Sequence, residues 1–112
     1  MFSQSVNGQI LILTCDCDVT ADNFLDFKLR YNKFCAMAPE DKSLILDLSA
    51  VNHLVSSAIG VIAASYPELK KRHVSFRIVA SSVELLRLLK VTRLSKVVRT
   101  NDSLKSAVAA LE

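Results

Sequence analysis

The sequence predicts an α/β fold: a single domain over residues 1–112, built on a mixed, mostly parallel sheet of four to five strands flanked by about four helices. Three observations carry this expectation. Strand-like and helix-like patterns alternate along the chain, as right-handed crossovers between parallel strands require. Segment 43–48, SLILDL, is apolar almost throughout, which suits a strand covered on both faces. Asn7-Gly8 is a hairpin signal near the start, so an antiparallel edge is added to the parallel body.

The elements follow in order. Residues 9–14, QILILT, read as a strand with β-branched positions, and 2–6 as its short edge partner across the Asn-Gly turn. Thr20 is placed to cap a helix over 21–37, with Asp22 in its first turn. Phe24, Phe27, Tyr31 and Phe34 recur at helical spacing and mark its core face, and Pro39 ends it. After the strand at 43–48 comes a polar elbow at 49–55. A helix over 56–72 then carries Ile59, Ile62, Tyr66 and Leu69 on one face. Pro67 removes a backbone donor inside it, so a kink is expected there.

Segment 74–79, VSFRIV, alternates as a further strand. Ser81 or Ser82 caps a helix to about residue 90, with Val83, Leu86 and Leu89 turned inward. Residues 96–99 read as a short last strand. Asp102 caps a closing helix with Leu104, Val108 and Leu111 on one side.

Composition narrows the function classes. With 51% apolar residues and only two glycines, the chain is neither disordered nor collagen-like. No apolar run reaches the ~18 residues of a membrane span. The opening MFSQSVNGQ lacks the basic and apolar regions of a secretory signal, so a soluble cytoplasmic protein, monomer or weak dimer, is expected. Three cysteines, an odd number, point to reduced thiols. Cys15-Asp16-Cys17 has the spacing of a soft-metal grip, yet His53 and His73 stand far apart in the chain. Two small residues on one side of a strand end explain the motif more simply, and no metal is expected.

Charge is unevenly spread. Residues 1–69 hold eight acids against four bases, and residues 70–99 hold nine bases against one acid. The basic segment has no interleaved aromatics and no nucleic-acid motif, so it reads as a solvated face rather than a nucleic-acid surface. Lys70, Lys71 and Arg72 suit the negative end of the second helix.

No catalytic constellation is expected. Gly8 and Gly60 cannot make a glycine-rich phosphate loop, and no Ser-His-acid order stands out. His53 precedes Ser56 by three residues, but the sequence supplies neither an oxyanion hole nor a third orienting group. The elbow is more informative, because loops beyond the carboxyl ends of parallel strands are where ligands and partners meet an α/β sheet. Ser56 and Ser57 stand there at a helix start. Either they cap the helix, worth ~1 kcal/mol, or one takes a phosphate, and the two roles are compatible.

The stretch LILDLSAVNHLVSSAIGVIAASYPELKKR resembles the core of STAS domains, the sulfate transporter and anti-sigma factor antagonist family. Asp47-Leu48-Ser49 resembles the family's strand end, Ser56-Ser57 its serine pair and Gly60-Val61 its helix. The later segment SFRIVASSVELLRLLKVTRLSKVVRTNDSLKSAVAAL is similar to the rest of the domain, and Asp18 to the acid ahead of the first helix. The chain departs from the pattern at Val55, where the family has Asp, at Ala58, where it has Gly, and at Cys15, where it has Gly.

The resemblance implies a non-enzymatic regulator without a cofactor. Its partners would be an anti-sigma factor serine kinase and a serine phosphatase, without direct nucleic-acid or membrane contact. It implies Ser56 as the phosphoacceptor, with Ser57 as the alternative. Contact with the partner is expected at Asn52, His53, Val55, Ser56 and Ser57, with Asp18 and Thr20 beside them. Val55 favours a second possibility, a scaffold or accessory subunit (stressosome-like or lipid-transport-like) that binds its partner constitutively.

Overall fold

A computed structural model describes residues 2–111. Five strands form one sheet in chain order: β1 (Phe2–Asn7), β2 (Ile10–Cys15), β3 (Ser43–Asp47), β4 (Ser75–Val79) and β5 (Arg99–Asn101). β1 pairs antiparallel with β2, and the other neighbours are parallel. The helices are α1 (Phe24–Met37), α2 (Ser56–Lys71), α3 (Val83–Val91), α4 (Leu94–Val97) and α5 (Leu104–Leu111).

Period-two alternation divides the sheet between two cores. Leu13, Cys15, Leu44, Leu46, Phe76 and Ile78 face a large core that receives α1 to α4. Ile10, Ile12, Ile45 and Val79 face the other way, onto Ala107 with Leu104, Val108 and Leu111 of α5. β3 is therefore covered on both sides, as its apolar run requires. The α1 stripe fills the large core: Phe27, Tyr31 and Phe34 are buried, and the Phe27 and Tyr31 rings stack at 5.5 Å. Burial of each such side chain contributes roughly 1.5–3 kcal/mol.

Several local expectations are corrected. The two-residue hairpin loop is Gly8-Gln9, because Asn7 already pairs with Ile10. Gly8 takes φ +63 at the first central position, where glycine is the favoured residue. α1 starts at Phe24 with Asn23 as its N-cap, not after Thr20. Asn23 Oδ1 is occupied by the Thr20 amide at 2.8 Å, and Asn23 Nδ2 donates to the Asp18 carbonyl at 2.9 Å. The side chain thus closes the preceding turn and delays the helix.

α2 runs unbroken through Pro67. The proline leaves the Ala63 carbonyl without its amide, and Ala63 is exposed, so water can satisfy that group. In α3 Ser82 is the cap, its Oγ accepting from the Leu85 amide at 3.3 Å. The inward face, however, is Leu85 and Leu89, while Val83 is 70% and Leu86 38% exposed. Leu89 is common to both phases, and a nine-residue helix rich in leucine fits either one.

Residues 96 and 97 belong to the short α4, and the last strand begins only at Arg99. Ser103, not Asp102, caps α5: its Oγ accepts from the Ser106 amide at 3.1 Å.

Candidate functional site: the loop before α2

The site is built at the carboxyl ends of β2 and β3. Asp47 ends β3 nearly buried, and its Oδ1 accepts from the Ser49 amide at 3.1 Å, which turns the chain out of the sheet. Val51 and Leu54 are buried anchors of the elbow, while Asn52 and His53 between them are exposed.

Asp18 holds that exposed tip. Its Oδ1 accepts from the Asn52 amide at 2.7 Å and from the His53 amide at 3.2 Å. Next to it Val19 forms a one-residue parallel bridge with Leu54. The Val19 amide donates to the His53 carbonyl at 3.1 Å, and the Val55 amide donates to the Val19 carbonyl at 2.9 Å. The segment after β2 therefore straps the elbow through four hydrogen bonds. Val19 gives no side-chain signal of this role in the sequence, because its polar contribution is made by the backbone alone.

The strap delivers the chain to α2 at Val55, which is the N-cap in extended geometry with φ −61 and ψ 148. A valine has no oxygen to offer, and no side-chain cap is made. Ser56 is thus not the cap. It is the first residue of the helix, with Ser57 second, and both are exposed. The amides of a helix's first turn have no acceptor within the helix, and the dipole adds partial positive charge there. Val55 itself is half-buried against the large core.

Asp18, Asn52, His53, Val55, Ser56 and Ser57 are therefore gathered at one corner. Exposed Thr20 follows Val19, and its Oγ1 accepts from the Asp22 amide at 3.3 Å. No hydrogen bond joins His53 to Ser56 among the described residues. Cys15 is buried, and burial pushes its thiol up to about 12, with Cys17 and Asp47 adding to the effect. Cys17 is half-buried, and its Sγ accepts from Asn23 Nδ2 at 3.8 Å.

The basic end of α2 differs from a simple solvated run. Arg72 folds back onto the last turn of α1, donating to the Cys35 carbonyl at 2.6 Å and the Ala38 carbonyl at 2.7 Å. It is a structural clamp at a helix C-terminus, where orphan carbonyls favour a cation.

Solved structures share this architecture. An anti-sigma factor antagonist from Mycobacterium paratuberculosis superposes with a TM-score of 0.88 at 22% identity, over 99% of this chain and 92% of that one. A STAS domain protein from Planctomyces limnophilus gives 0.88 at 14% identity, over 99% and 97%. The anti-sigma factor antagonist SpoIIAA in its unphosphorylated form gives 0.78 at 10% identity, over 99% and 96%. These likenesses establish the fold, and no helix among the described residues is long and apolar enough to cross a membrane. The STAS domain model matches residues 2–107, nearly the entire chain, and on that match the protein belongs to the STAS domain family.

Proposed function

We propose that this protein is an anti-sigma factor antagonist whose partner grips the loop before α2. The partner is an anti-sigma factor that is also a serine kinase. It phosphorylates Ser56, or Ser57 as the alternative acceptor, and thereby loses its hold. A serine phosphatase restores the hydroxyl. The antagonist contributes no catalysis and no cofactor, and it acts in the cytoplasm.

The observation that carries this reading is that Ser56 and Ser57 are both exposed residues on the first turn of α2, beside a tip strapped by Asp18. A phosphate on Ser56 would bring about two negative charges to a helix N-terminus, which the free amides and the dipole favour. The fold would therefore tolerate the modification, while a partner seated there with apolar or acidic groups would be repelled. Asn52, His53, Val55, Ser57, Asp18 and Thr20 complete the contact surface in this reading.

The test is incubation with the cognate kinase and ATP. A mass gain of one phosphate in the wild type, absent in Ser56→Ala, is the expected result. One specific observation favours a second reading. Val55 stands at the N-cap without a carboxylate, and the elbow would then serve a scaffold or accessory subunit that binds its partner constitutively. A wild type that binds the kinase but is never modified selects that second reading.

A further inference from the structure

The opposite end of the sheet carries a feature that the switching role does not use. A groove of about 770 Å³ opens at the N-terminal ends of β3, β4 and β5, under the C-terminal turns of α2 and α5. Lys70, His73, Arg77, Lys96 and Arg99 line it, with no aspartate or glutamate among the described lining residues. Arg77 and Arg99 lie directly opposite each other in the β4–β5 register. Like charges facing across a strand pair are destabilising unless something neutralises them. Arg77 is turned to Asn101 Oδ1 at 3.0 Å, a neutral acceptor that leaves its charge uncompensated. Lys70, Lys96 and Arg99 have no carboxylate within 4.0 Å among the described residues, where the ion pair is Asp26 with Arg30.

We propose that this groove is a docking site for an acidic segment of a protein partner, distinct from the Ser56 corner. The form of the positive charge argues for a polypeptide. Of the three helices that reach the groove, α4 contributes the Lys96 side chain, while α2 and α5 present their C-terminal ends, whose partial negative charge opposes a compact anion. Attraction therefore comes from side chains spread around an open mouth, and it suits carboxylates spread along a chain. Base stacking is poorly served: Phe76 is buried and Tyr66 is half-buried against the core. Ser56 and Lys70 lie at opposite ends of α2, about 21 Å apart along the helix axis. One partner can thus occupy the switch corner while another holds the groove.

The experiment follows the anisotropy of a fluorescein-labelled deca-glutamate peptide with the full chain. Lys96→Glu/Arg99→Glu reverses two exposed groove charges. Lys71→Glu/Lys105→Glu makes the same change in net charge at exposed positions outside the groove. The proposal expects wild-type binding at low salt that is lost at about 0.5 M salt. It expects about tenfold or greater weakening in the groove variant, little change in the control, and unaltered circular dichroism in both. Absence of wild-type binding, or equal weakening in both variants, overturns it. Tighter binding of a ten-nucleotide oligothymidylate or of inorganic polyphosphate also overturns it, and reassigns the groove to phosphate-bearing polymers.

Discussion

Asp18 Oδ1 lies 2.7 Å from the Asn52 amide nitrogen, and this contact, repeated at 3.2 Å with His53, ties the exit of β2 to the tip of the loop before α2. The two bonds are solvent-exposed, so each is worth about 1 kcal/mol. Asp18→Ala is expected to lower stability by about 1–2 kcal/mol, while Asp18→Asn keeps an acceptor oxygen and loses less. Chemical denaturation compares the two, and hydrogen exchange at the Asn52 and His53 amides reads the local effect. Under the proposed function, partner affinity falls more in Asp18→Ala than stability does.

Val55→Asp places an oxygen at the N-cap of α2. A cap contributes about 1 kcal/mol, and removing a half-buried valine from the core costs a similar amount. Net stability is therefore expected to stay within about 1 kcal/mol of the wild type. Under the proposed function, phosphorylation by the partner kinase should become faster, because Val55→Asp restores the family's acid beside the serine pair. A large fall in melting temperature would show that Val55 is held by packing rather than by its place in the loop.

Gly60 sits inside α2, exposed, and a Cβ built there meets nothing within 4 Å. Its backbone is helical, so glycine only adds freedom to the unfolded chain. Gly60→Ala should stabilise the fold by about 0.5–1 kcal/mol, measured as a higher denaturation midpoint at unchanged slope. If the partner's surface passes over the first turns of α2, the same methyl group will weaken binding while it strengthens the fold.

Arg72 closes α1 with two short bonds, and its buried Nε has no hydrogen-bond partner among the described residues. Arg72→Ala leaves the Cys35 and Ala38 carbonyls of two buried residues without their cationic donor. A loss of about 2–4 kcal/mol is expected. Lysine cannot reproduce a two-pronged geometry, so Arg72→Lys should recover only part of it. Thermal melts of the two variants at one pH decide the matter.

The layered fold was legible because its signals are periodic and redundant. The α1 stripe, with Phe27, Tyr31 and Phe34 buried and Phe24 half-buried at its start, and the apolar β3 run have one burial each. α3 was not legible in phase: four leucines and two valines within nine residues satisfy more than one face, and the sheet alone selects Leu85 and Leu89. Helix starts slipped by one to three residues where a side chain took another partner, as Asn23 and Ser103 show. At the site, the serine pair and Asp18 could be placed from motif and order. The Val19 strap could not, since backbone hydrogen bonds carry no residue signature. Arg72 sits in a basic run that reads as solvated, because nothing in the sequence reveals that α1 ends against it.

Alkaline pH should unfold the protein early, and the sign follows from its buried acids. Burial pushes the Cys15 thiol up to about 12 from an ordinary 9.0, with Cys17, Asp47 and Asp16 raising it further. Burial also raises Cys35, against hydrogen bonds from Tyr31 and Ser65 and the charge of Arg72, and it raises the Tyr31 hydroxyl well above its usual range. Each group keeps its proton longer in the folded state than in the unfolded chain. Below about pH 9 both states are protonated and the stability is complete. As pH climbs from 9 towards 12, the unfolded chain loses protons that the folded chain retains, so the free energy of unfolding falls. The slope approaches 1.4 kcal/mol per pH unit for each such group, roughly, once its unfolded form is fully ionised. Melting temperatures at pH 8 and pH 10.5 should therefore differ by several degrees in the wild type. Cys15→Ala melts lower at pH 8 because it leaves a cavity, yet its curve is flatter above pH 9, since the group that titrates differently is gone. Alkylation supplies an independent check: iodoacetamide should modify half-buried Cys17 first, with Cys15 and Cys35 reacting only at the rate of opening. A wild type as stable at pH 10.5 as at pH 8 would mean that these thiols and the Tyr31 hydroxyl are reached by water in the folded state.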